Sequence, residues 1–202
     1  NDSHDMLCMN MVEKVLRKYA SREGFGDILA RGPKAAAEII GGDAPSFSVH
    51  IKGSGINLHD WRHLWGTLLG QIVGSGAGWP AMGADMRPEP DAGFPEKQPP
   101  FAPAGKPAEA RGCGIIKQIN DSTGMCLIIS RGHPNVLALT SDALSAVVGW
   151  KLSREELWTV GERIANLERA FNARHGLTPE DDYIVSERLV EPPPEGPGAG
   201  KS

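Results

Sequence analysis

The chain has three cysteines, Cys8, Cys113 and Cys126, which are its softest metal ligands and, as thiolates, its strongest nucleophiles. Cys113 and Cys126 stand 13 apart and neither belongs to a C-x-x-C pair. A four-cysteine iron–sulfur or zinc site needs four thiolates, so any such centre must take ligands from outside this sequence. On spacing alone all three read as small structural residues. His59 and His63 in HDWRH would share one face of a helix, as in the zinc-protease H-E-x-x-H pattern. Asp60 is one methylene too short for that pattern's general base and no third ligand follows, which favours polar groups over a zinc site. Two glycine-rich stretches fail as phosphate cradles. GSGAG (74–78) lacks the glycine spacing of a dinucleotide site, and GPGAGKS has Glu195 where a phosphate-binding loop requires glycine.

The elements that must position these groups read mainly as helices. From Ser3, the residues Met6, Met9, Val12, Leu16 and Tyr19 recur at three- and four-residue steps, predicting a helix with one stripe facing a core. Asp27 is expected to cap a short turn through Arg31, and Pro33 opens a helix that stops at Gly41 and Gly42. SVHIK (48–52) alternates as one isolated strand, and 59–73 is a helix candidate. Ser153 and Glu156 form a capping box ahead of Leu157, Val160, Ile164, Leu167 and Phe171, a helix that Gly176 ends. Its other face, with Glu155, Glu162, Arg163, Glu168, Arg169 and Arg174, reads as a solvated, salt-bridged surface.

Glycine and proline divide the chain. Of 25 Gly and 16 Pro, 14 fall between Gly74 and Pro107, a stretch that excludes regular structure. Trp79, Met82, Met86, Phe94 and Phe101 within it predict a long loop packed on a surface. Pro192 to Gly200 reads as a frayed tail. The implied segments are 1–73, helical; 74–107, loop; 108–191, helical; and 192–202, tail. With 21 basic and 25 acidic residues the net charge is −4, giving no reason to expect a nucleic-acid or anionic-membrane partner. No run approaches the roughly 18 apolar residues of a membrane span, and the N-terminal NDSHDML lacks a secretion signal's basic and apolar blocks, so a cytoplasmic location is expected.

One segment changes the weighting of the cysteines. In NDSTGMC, Asp121, Gly124 and Cys126 form D-x-x-G-x-C. It is followed by GW (149–150), GERI (161–164), NLER (166–169), FN (171–172), R-x-G-x-T (174–178), DD (181–182), ER (187–188) and an acidic, proline-rich tail. This order resembles the tungsten-dependent aldehyde ferredoxin oxidoreductase family, whose second pterin-binding motif is D-x-x-G-x-C. REGFGDILARGPKAAAEIIGG and VHIKG are similar to the segments that precede it there, so the likeness spans nearly all of the chain outside 74–107.

The resemblance implies helical domains enclosing a bis-molybdopterin cofactor of tungsten (or molybdenum) beside a four-iron, four-sulfur (4Fe-4S) cluster. Asp121, Gly124, Met125 and Cys126 are then the cofactor-binding residues. Asp121 would accept hydrogen bonds from the pterin, Gly124 would let backbone come close, and Cys126 would be the cluster's fourth ligand. The implied reaction is oxidation of an aldehyde to a carboxylic acid with ferredoxin as electron acceptor. The family's other three cluster cysteines, first pterin motif and β-rich base domain match nothing here. The sequence therefore reads as part of a longer chain or one half of a split pair, inactive alone, whose partners are that remainder and, in a homodimer, a second copy. One departure bears on substrate: where aldehyde-oxidising members carry R-G-x-x-H, this chain has Gly76, Ala77 and Pro80. That raises a benzoyl-coenzyme A reductase-like tungsten subunit, acting on an acyl-CoA, as an alternative. A helical module that binds no metal is the non-catalytic one.

Overall fold

The computed structural model describes residues 2–56, 59–74, 99–126 and 135–201, with side chains from residue 8 onward. Its architecture is helical, and the described residues contain a single two-stranded sheet. Helix α1 (Asp2–Ser21) is followed by the short α2 (Phe25–Leu29), α3 (Pro33–Ile40) and α4 (Ala44–Phe47). Gly26 lets α2 lie directly against α1, since a Cβ there would fall 2.2 Å from the Lys18 carbonyl carbon. Contact at this end leaves the predicted stripe uncovered. Met9, Val12, Leu16 and Tyr19 are 47–68% exposed, so among the described residues the stripe does not face a core. Asp27 lies inside α2 rather than capping it, and its carboxylate pairs with Arg22 at 2.8 Å and Arg31 at 2.7 Å. Pro33 and Gly41 bound α3 as expected.

The expected isolated strand is one arm of a hairpin. Strands β1 (His50–Ile51) and β2 (Ser54–Gly55) pair antiparallel through a two-residue loop in which Lys52 (φ 52°) and Gly53 (φ 81°) are both left-handed, as a type I′ turn requires. Ile51 is fully buried and bridges to Val185. Residues 59–73 form two elements instead of one: a 3-10 turn (Trp61–His63) and α5 (Trp65–Val73). The Asp60 side chain accepts from the Arg62 N–H at 3.1 Å, starting the turn at Trp61 and leaving His59 outside it.

Helix α6 (Lys106–Thr123) starts inside the stretch predicted as loop, with Pro107 in its first turn where a missing N–H costs nothing. Trp79, Met82, Met86 and Phe94 lie outside the described residues. Phe101 packs edge-on against Trp65, with centroids 5.8 Å apart. The chain's end folds back onto Phe101: Gly198 is buried against it and the Lys201 ammonium lies 4.2 Å from its centroid. That packing replaces the frayed tail expected from composition. Helix α7 (Val136–Val148) and the 21-residue α8 (Arg154–Arg174) complete the core, in which Ile115, Ile119, Leu137 and Leu157 are each 3% exposed. The capping box at Ser153 and Glu156 is present, with bonds of 3.2 and 2.8 Å. A second 3-10 segment (Pro179–Tyr183) and α9 (Glu187–Val190) follow. No described helix is long and apolar enough to cross a membrane.

Candidate cofactor-binding turn

The D-x-x-G-x-C residues form the C-terminal cap of α6. Gly124 takes the left-handed conformation (φ 72°, ψ 12°), and the Met125 N–H reaches back to the Asn120 carbonyl at 2.9 Å. This reversal closes a helix with glycine at the position where a Cβ is disfavoured. Asn120, just before the motif, is 1% exposed, and the Thr123 hydroxyl donates to the Ile119 and Asn120 carbonyls at 2.9 and 3.1 Å. Met125 is anchored from α7, where the buried Thr140 hydroxyl lies 3.8 Å from its sulfur. The turn is thus held by the core on one side and open on the other. The Asp121 side chain is 55% exposed and the Cys126 thiol is free and exposed. A Cβ built on Gly124 would meet nothing within 4 Å.

These groups suit the cofactor that the sequence implies. An exposed carboxylate can accept from ring and amino N–H groups, a glycine with open space admits close backbone approach, and a free thiol in the same short turn can ligate iron as thiolate. Among the described residues no three His, Cys, Asp or Glu side chains converge as a metal site. With Cys8 on the exposed α1 and Cys113 half-buried on α6, a four-cysteine cluster at Cys126 requires thiolates from beyond this chain. The spacing missed Lys117, whose ammonium ion-pairs with Asp121 Oδ2 one helical turn away. Its i, i+4 relation to Asp121 is the signal that was available.

The histidine pair loses its zinc-protease likeness. His59 packs its ring on Trp61, with centroids 5.1 Å apart, while His63 Nδ1 meets the Asp60 carbonyl, and no helix joins them. Asp60 itself is held below the usual carboxylate range, chiefly by its hydrogen bonds from the Arg62 side chain.

The polar face of α8 is only partly the solvated surface that its pattern predicts. Glu155, Arg163 and Arg174 are exposed, but Glu162 pairs with Arg111 of α6, and Glu168 accepts from Gln118 at 2.8 Å. Arg169 grips Asp182 with two bonds of 3.0 and 3.1 Å. Asp182 also binds Lys52 at 2.9 Å, and Lys52 donates to the Ile72 and Gly74 carbonyls at the end of α5. Burial alone would raise the Asp182 pKa; the two cations outweigh it and hold the carboxyl below its usual range. Arg111, Gln118, Glu162, Glu168, Arg169 and Asp182 line a cleft of about 670 Å³ between α5, α6 and α8.

Comparison with known proteins agrees with the order of motifs. The family description "Aldehyde ferredoxin oxidoreductase, domains 2 & 3" matches residues 9–202. The tungsten-containing aldehyde ferredoxin oxidoreductase of Pyrococcus furiosus is 34% identical over 192 residues, covering 92% of this chain and 30% of that protein. Its counterpart in Thermococcus kodakarensis is 33% identical over the same shares. The WOR-like subunit of an aliphatic sulfonate oxidoreductase from Pyrococcus furiosus is 26% identical over 94% of this chain and 28% of its own length. The chain therefore spans about three-tenths of the length of the curated relatives it matches. With a family match across nearly its whole length and a helical fold, this chain belongs to the aldehyde ferredoxin oxidoreductase family, in the part that corresponds to domains 2 and 3.

Proposed function

We propose that this chain supplies one wall of a tungsten–pterin site and one ligand of an adjacent 4Fe-4S cluster, in an oxidoreductase that converts aldehydes to carboxylic acids and passes electrons to ferredoxin. The observation that carries the reading is the placing of Asp121, Gly124 and Cys126 together in one glycine-closed turn, each open to an incoming group. When bound, the tungsten–dithiolene centre and the cluster supply the two-electron chemistry and its exit route.

The residues of this chain bind and orient. Asp121 would accept hydrogen bonds from the pterin's N–H groups and so hold it. Gly124 gives the close backbone approach. Cys126, two residues on, would offer a thiolate to iron, so a single turn would hold both groups. Thr140 and the buried Asn120 keep that turn from shifting when ligands load. Aldehyde is the substrate class because the more similar relatives carry it in their names.

The test is metal analysis of the full-length protein expressed anaerobically with tungstate. Wild type should hold one tungsten and at least four irons per chain, and Asp121→Ala should lose about tenfold in tungsten retention through gel filtration, in the range for a lost partner that orients a metal site. Full tungsten retention by the folded variant would overturn the assignment of Asp121.

A further inference from the structure

We infer that Lys117 is a positioning residue for the pterin-facing carboxylate: a largely covered lysine beneath Asp121 that occupies one of its oxygens and presents the other. The inference rests on the cofactor reading above and adds to it a residue that the motif does not contain.

Three observations carry it. First, the pair is lopsided, since the Lys117 side chain is 12% exposed and that of Asp121 is 55% exposed. A surface ion pair formed for solubility would leave both side chains in water, whereas here the lysine side chain is largely covered and the aspartate emerges. Second, Asp121 lies in the last turn of α6, which holds no basic residue. Helix carbonyls point out at that end and disfavour an anion, so an unpaired aspartate would be held there less firmly. Lys117 supplies the missing positive charge from one turn below. Third, the ammonium meets Oδ2, while Oδ1 has no partner among the described residues. One oxygen is fixed and the other is left to accept from a ligand N–H.

Lys117→Met tests this, because methionine fills a similar length without a charge. In the anaerobically purified full-length holoprotein, release of pterin would be followed by its fluorescence, with a thermal melt to confirm folding. Lys117→Met is expected to speed release about tenfold, and Lys117→Arg, which keeps the cation, to restore most of the retention. In an Asp121→Asn background, Lys117→Met should change release by less than about twofold, since the two act through one contact. Unchanged release by Lys117→Met, or an undiminished effect in the Asp121→Asn background, would overturn the inference while leaving Asp121's own role intact. Should Lys117→Met fail to fold, Lys117→Gln against Lys117→Arg gives the same comparison, with equal release from both as the overturning result. Tight retention by Asp121→Ala would instead remove the pterin contact of Asp121 on which this inference stands.

Discussion

Helix α6 carries the motif turn and is kept in place largely by its crossing with α8, which depends on Gly161, the first residue of GERI. A methyl group there would lie 2.8 Å from Ile115 Cγ2, 2.9 Å from Ile119 Cγ1 and 3.0 Å from the Ile115 carbonyl oxygen. Comfortable carbon contacts need roughly 3.5–4.0 Å, so the helices must part by more than half an ångström or the isoleucines must leave their rotamers. Both isoleucines are 3% exposed and the carbonyl belongs to the backbone, so none of the three can swing into solvent. Overpacking of this kind costs about 1–3 kcal/mol, whereas exchanging a mid-helix glycine for alanine gains about 0.8–1 kcal/mol. The backbone contact places the cost in the upper part of that range, and Gly161→Ala is predicted to destabilise by about 1–2 kcal/mol net. At this chain length that lowers the melting temperature by about 3–6 °C. Urea unfolding followed by far-ultraviolet circular dichroism reads the change. A variant more stable than wild type by the helix-propensity gain would show that α6 and α8 do not cross as closely as described.

Two further perturbations follow from the same packing. Asp182→Asn leaves the nearly buried Lys52 and the half-buried Arg169 facing a neutral amide, and should cost about 2–3 kcal/mol, below the figure for a fully buried pair because Lys52 keeps its carbonyl partners and Arg169 reaches solvent. Because the Asp182 carboxyl titrates lower folded than unfolded, its stabilisation is complete above the usual aspartate value of about 3.9 and is lost as the pH falls through that value toward the folded one. Urea midpoints at pH 7 and pH 3 should therefore converge between wild type and variant, and a constant gap would contradict the ion-pair account. Ser153→Ala removes the cap of α8 and should cost about 1 kcal/mol, read in the same titrations, with an unchanged midpoint counting against the cap.

Where local chemistry decides the outcome, the sequence is a good guide. Ser153 and Glu156 satisfy the first amides of α8 by themselves, and Pro33 and Gly41 bound α3. Where tertiary contacts decide, it is not. The apolar stripe of α1 identifies a face but not whether a partner covers it, and here α2 meets the helix through Gly26 instead. The β1–β2 hairpin escapes notice because each strand has only two residues and the left-handed Lys52 is held in place by Asp182, 130 positions later. Pattern alone assigns the charges of α8 to solvent; only the crossing with α6 reveals that Glu162 and Glu168 serve as inter-helix ties. At the candidate site, the order of Asp121, Gly124 and Cys126 is what nominates them, while the i, i+4 spacing of Lys117 gains its meaning only from the unequal exposure of the pair.

If the thiol closing this turn ligates iron, exchanging that sulfur for oxygen removes a ligand of the cluster. In the anaerobically purified full-length protein, Cys126→Ser is predicted to lose cluster iron, or to show a changed electron-paramagnetic-resonance signal in the reduced state, since an alkoxide ligates iron far less well than a thiolate. A folded Cys126→Ser protein with its full iron and an unaltered reduced-state signal would contradict the account.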